Sequence, residues 1–171
     1  MREETLIITG AALVVVVIGV ATFLSVRQGA APAASPASAN TQPSAAEVPF
    51  TRLVQGSASR VAERINYRAT SASQLQELWK MINATGTPPT VNFAAQEVIG
   101  VFAGQQPTPG YAIAVSNIED AAARVVSITI ARPEGACTTE HATTTPYELI
   151  AVPATALPLT HEDISTTTGC P

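Results

Sequence analysis

Cys137, His141, His161 and Cys170 are the residues whose types can ligate a metal or supply a nucleophile and its base. Together they have the composition of a Cys2His2 zinc site. Their spacing argues against one. Three residues separate Cys137 from His141 and eight separate His161 from Cys170, across a long gap, whereas structural zinc sites pair their ligands closely. His161-Glu162-Asp163 lacks the second histidine, one helical turn on, that a helical His-Glu-x-x-His site needs. Cys137 with His141 would suit nucleophile and base, but a reactive thiolate needs a dry, electropositive pocket. Residues 136–145 read instead as a Thr-rich surface loop. Glu119-Asp120 is a single acidic pair in a turn, more consistent with a solvated surface than with Ca²⁺ ligation. No Gly-x-Ser-x-Gly elbow, P-loop or Gly-x-Gly-x-x-Gly occurs. The expectation is no catalytic residue, no metal and no cofactor. What remains for the two cysteines is a disulfide between Cys137 and Cys170, stabilising by ~3–4 kcal/mol, with two free thiols as the alternative.

The chain that carries these residues divides by composition. Residues 6–26 hold no charge, and as a helix rising ~1.5 Å per residue they would span a bilayer's hydrocarbon core. The run exceeds a usual signal-peptide core, and the segment before it is not clearly basic. Residues 1–27 therefore read as an uncleaved membrane anchor, with cleavage after Ala33 or Ala39 as the alternative. Residues 28–47 are rich in Ala, Pro and Ser and cannot bury a core. They read as a disordered spacer reaching up to ~60 Å. Residues 48–171 suffice for one domain. Arg2 and Arg27 balance Glu3 and Glu4, so apart from Glu47 at the end of the spacer the formal net charge of −4 belongs to that domain. A mildly acidic domain argues against nucleic acid and against anionic lipid as partners. A disulfide would place it outside the cytoplasm.

Within the domain, Phe50–Gln55 and Val61–Ala69 read as strands around a Gly56-Ser57 turn. Arg52, Arg60, Arg64 and Arg68 read as their solvated face. Leu75, Leu78, Trp79 and Ile82 follow helical spacing, with Ser71 and Gln74 as a capping box, Ser73 and Gln76 as the alternative frame, and Gly86 with Pro88-Pro89 as the stop. Trp79 on this stripe reads as core. Asn83-Ala84-Thr85 fits an N-glycosylation sequon and reads as a chance match near the helix end. Further strands are read at 124–132 and 147–152.

Residues 98–115 are the most informative stretch. A continuous apolar run, Val98-Ile-Gly-Val-Phe-Ala103, precedes a Gly/Pro loop and then an alternating strand from Tyr111. The pair reads as an antiparallel hairpin. Pro107 and Pro109 fix φ, and Gly110 accepts the positive φ a turn needs, so the loop should be stiff and exposed. The expected fold class is α+β: a single, mostly antiparallel curved sheet with one amphipathic helix, preceded by an N-terminal transmembrane helix.

The same stretch resembles the C-terminal domain family of the protease-complex subunit PrcB, whose members are bacterial extracytoplasmic proteins. The matching residues are Gly104, Pro107, Thr108, Gly110 and Tyr111, then Pro146-Tyr147 leading into Leu149–Pro153, over residues 97–153. Pro109 stands where the family more often has a small residue. The resemblance implies a non-enzymatic accessory domain that binds or stabilises an extracytoplasmic protease or similar complex. It implies a bacterial cell-membrane location, single-pass through residues 6–26, with the C-terminal domain outside the cytoplasm. Pro107, Thr108, Pro109, Gly110 and Tyr111 are the candidate binding residues, with Tyr111 alternatively an inward anchor of its strand. A weaker similarity, through the same loop, is to chagasin-like cysteine-protease inhibitors on an immunoglobulin-like sandwich. The alternative function is therefore protease inhibition through residues 105–111.

Overall fold

The computed structural model describes residues 44–134 and 142–169. The apolar run at 6–26, most of the spacer, Cys137, His141 and Cys170 lie outside the described residues.

The described strands are β1 (Ala46–Glu47), β2 (Thr51–Gly56), β3 (Ile65–Ala69), β4 (Gln96–Phe102), β5 (Ala112–Asp120), β6 (Arg124–Pro133), β7 (Tyr147–Pro153) and β8 (Leu159–Thr168), with one helix, α1 (Ala72–Met81), between β3 and β4. A mostly-sheet domain with one short helix is α+β, as expected. The expected single sheet is instead two four-stranded sheets, ordered β1-β5-β6-β8 and β2-β7-β4-β3. All pairings are antiparallel except β6 with β8, which is parallel. The first sheet begins within the expected spacer, because Ala46 and Glu47 pair with Asp120 and Glu119.

Hydrophobic patterning explains the two sheets. In β4, every residue from Glu97 to Phe102 is buried. Ile99 and Val101 face the other sheet, packing with Ile113, Val115, Ile118, Val126 and Ile128. Val98 and Phe102 face the opposite way, onto Leu75, Leu78 and Ile82 of α1 and its C-cap. A strand covered on both faces reads as a continuous apolar run, whereas a strand with one wet face alternates. β5 alternates, and only its Ile113/Val115 side is buried. The two strands flanking residues 103–111 therefore belong to different layers, and the loop crosses between sheets rather than closing a hairpin. β2 and β3 likewise pair with β7 and β4 and not with each other.

Local signals hold where they are short-range. Ser71 caps α1, its Oγ accepting from the Gln74 backbone N–H at 3.3 Å. Gln74 Oε1 accepts from the Thr70 backbone N–H at 2.7 Å, one residue earlier than a strict capping box. The helix stops sooner than Gly86. Ile82 is the C-cap, and Asn83 takes the left-handed conformation at φ 53°, the position asparagine fills when glycine is absent.

Candidate functional site

The loop between β4 and β5 is built by backbone hydrogen bonds at its base and by prolines at its tip. Gly104 has φ +75° and sits against the 62–64 segment. A Cβ there would lie 2.8 Å from the Ala62 carbonyl oxygen and 2.9 Å from the Arg64 nitrogen. This close approach lets the Gln105 N–H donate to the Ala62 carbonyl at 2.9 Å. Gln106 and Thr144 exchange two backbone hydrogen bonds, 2.7 and 3.0 Å long. Thr144 Oγ1 donates to the Thr108 carbonyl at 3.2 Å. Gln106 Nε2 donates back to the Ala103 carbonyl at 2.9 Å. Beyond this base, Pro107 and Gly110 are exposed, and Thr108, Pro109 and Tyr111 are half-buried. Gly110, at φ +91°, closes the turn beside Pro133. Five predicted site residues thus form one stiff, partly exposed turn joining the two sheets.

A buried glutamate of the strand after the loop pairs with Arg52, one of the arginines expected on a solvated face. Glu148, on β7, is fully buried between the sheets. Its Oε2 accepts from the Val115 backbone N–H at 2.5 Å, and its Oε1 pairs with Arg52 Nε. Val115 borders the β-bulge of β5, where the register with β6 shifts, so the glutamate satisfies a donor at the point where the ladder is interrupted. Gln55 Nε2 makes a second crossing, to the Ile113 carbonyl at 2.8 Å.

At the other end of the sheets, Arg124 and Glu97 are each 1% exposed. Arg124 Nη1 donates to Glu97 Oε1 at 2.8 Å and to the Pro153 carbonyl at 2.6 Å. Its Nε and Nη2 both reach Asp120 at 2.7 Å, a bidentate pair. Glu97 Oε2 in turn accepts from Arg68 Nε at 2.8 Å, while Arg68 also binds the Leu157 and Thr155 carbonyls. The Arg124 hydrogen bond holds the Asp120 carboxyl below the usual carboxylate range, and that pair with nearby Glu97 raises the Arg124 guanidinium further. Asp120 is therefore engaged by the Arg124 guanidinium. Of the arginines read as a solvated face, Arg52 and Arg60 are exposed, though Arg52 like half-buried Arg68 reaches a buried glutamate, and half-buried Arg64 grips Asp163 of β8 with two bonds of 3.0 and 2.5 Å. Nothing in the spacing of Glu97, Arg124 and Glu148 announced these pairs. The one available signal was an acidic residue inside each of two otherwise apolar strands.

A groove of about 400 Å³ runs between β3 and α1 and is lined by Arg60, Val61, Glu63, Tyr67, Glu77 and Met81 among others. It contains no nucleophile with a base. Among the described residues no three His, Cys, Asp or Glu side chains gather as a metal site. His161 stands exposed on β8. Asn83 of the sequon is engaged, its amide donating to the Ala58 carbonyl at 3.3 Å and its oxygen accepting from Arg60. Trp79 packs with the helix-side core, and its buried indole N–H has no partner among the described residues. The arrangement of the loop and its buried charges supplies shape and rigidity.

Compared with known proteins, residues 98–153 match the family model described as PrcB C-terminal, the stretch from β4 through β7 that includes the loop. No curated protein and no solved structure matches the chain.

Proposed function

We propose, from the PrcB C-terminal match over residues 98–153, that this chain is a non-enzymatic protein-interaction domain whose contact surface is the 105–111 turn. The observation that carries this reading is the turn's construction. Its base is fixed by the Gln106–Thr144 bridge and by Gly104, and its tip presents two prolines. Such a loop loses little conformational entropy on binding, so its contact area converts efficiently into affinity. The partner class is an extracytoplasmic protease or similar complex that the domain binds or stabilises. Residues 6–26 would tether the domain to a bacterial cell membrane, and a Cys137–Cys170 bridge would fit its position outside the cytoplasm.

The test compares the full chain with Pro107→Gly/Pro109→Gly as baits in membranes of the source cells, with mass spectrometry of what co-purifies. A protease-complex protein recovered with wild type and depleted several-fold with the variant, at an unchanged thermal midpoint, is the expected result. Equal recovery removes the loop from the interface.

A two-sheet sandwich with the loop crossing between its sheets also favours the inhibitor reading. Papain-like proteases incubated with the chain at stoichiometric amounts separate the two. Full residual activity rejects inhibition of that class.

A further inference from the structure

The backbone of residues 62–64 carries one side of the base of the 105–111 turn. Ala62 supplies the carbonyl that accepts the Gln105 N–H at 2.9 Å, and Gly104 lies against Ala62, Glu63 and Arg64. Ala62 and Glu63 are exposed, so the packing of their side chains fixes little. Arg64 is half-buried, and all three of its guanidinium nitrogens are engaged. Nη1 donates to Asn66 Oδ1 at 2.6 Å and to the Phe102 carbonyl at 3.2 Å, both in the β2-β7-β4-β3 sheet. Nε and Nη2 donate to the two carboxylate oxygens of Asp163 at 3.0 and 2.5 Å, on β8 of the other sheet. One planar fork thus ties this segment to both sheets, in a geometry that a lysine ammonium cannot reproduce.

We propose that Arg64, gripped by Asp163, is the positioning residue of the 105–111 turn. The inference rests on the reading of that turn as the contact surface. Phe102 ends β4 two residues before Gly104, so Arg64 holds the chain where it enters the loop. From there the bonds are contiguous: the 62–64 backbone holds Gly104 and Gln105, Gln106 pairs with Thr144, and the Thr144 hydroxyl reaches the Thr108 carbonyl near the tip. The turn joins two different sheets, so its shape depends on how those sheets are held together beside it. The Arg64–Asp163 pair makes that connection. Its side chains are 24% and 32% exposed, so salt screens it.

Amide hydrogen exchange of the full chain in nonionic detergent tests the proposal, with Asp163→Asn and Asp163→Glu beside wild type. Asp163→Asn should speed exchange at the Gln105 and Gln106 amides several-fold. Ile99 and Ile150, central in β4 and β7, should keep their protection. Asp163→Glu retains the carboxylate and should stay near wild type. Raising the salt to about 1 M should speed the same two loop amides in wild type but not in Asp163→Asn. Unchanged exchange at Gln105 and Gln106 in Asp163→Asn overturns the proposal. Equal acceleration at Ile99 and Ile150 also overturns it, because that marks global destabilisation. Recovery of the co-purifying protein by Asp163→Asn separates this inference from the reading beneath it. Loosened loop amides with undiminished recovery leave Arg64 as the positioning residue and remove the turn as the contact surface.

Discussion

Glu148 illustrates how a single side chain can hold two layers together. It is buried, charged, and bonded to the Val115 N–H across the sheet interface. Removing one partner of such a pair leaves a buried donor unsatisfied and Arg52 without its carboxylate. Glu148→Ala should therefore lower unfolding free energy by about 1–3 kcal/mol, read from urea denaturation. Gly104 matters for a different reason. Its φ of +75° and the 2.8 Å approach to Ala62 leave no room for a Cβ. Gly104→Ala should cost about 1–3 kcal/mol in the same measurement, and a neutral result would mean the loop base shifts freely. The family resemblance includes Gly104, and the structure supplies the steric reason for glycine there.

At the scale of elements, short-range chemistry was legible and long-range pairing was not. The Ser71 cap and the Leu75/Leu78/Ile82 stripe appear where periodicity placed them, because both depend on residues within a turn or two. Ser71→Ala should cost about 1 kcal/mol, measured by thermal unfolding, without altering the loop. β8 escaped sequence reading because its residues are polar on both faces, and only pairing with β6 makes it a strand. The hairpin expected at 98–115 failed for the opposite reason. Both flanking segments are strands, but the continuous apolar run of β4 marks a layer covered on both sides, while β5 alternates. The bulge in β5 moves the buried phase from Val115 to Ile118, which a strict two-residue period misses.

For the whole molecule, the two sheets are joined by an apolar interface and by polar contacts that cross it: Arg124–Glu97, Glu148–Val115, Gln55–Ile113 and Arg64–Asp163. Two other groups, Asp120 and Tyr147, shape stability against pH. Asp120 has its carboxyl depressed below 3.8 by the Arg124 hydrogen bond, so the unfolded chain takes up that proton first. Its contribution is present above the ordinary carboxylate value and is lost as pH falls through the folded value. Burial raises the Tyr147 phenol above 10.0, so its contribution is present below that value and lost as pH rises through the folded one. Urea midpoints across pH should thus form a plateau with two falling limbs. Asp120→Asn should flatten the acid limb and Tyr147→Phe the alkaline limb; unchanged limbs would detach these groups from the linkage.

The sequence by itself determined the helix and its cap, most strands, the stiffness of the Pro-Thr-Pro-Gly turn and the resemblance over 97–153. Each rests on contacts between residues close along the chain or on composition. Only the tertiary structure decided that there are two sheets, that the loop joins them, and that Glu97, Arg124 and Glu148 hold charge in the interior. Those outcomes depend on which strands meet and which faces are covered. The energy of such long-range contacts is set by neighbours that sequence spacing does not reveal.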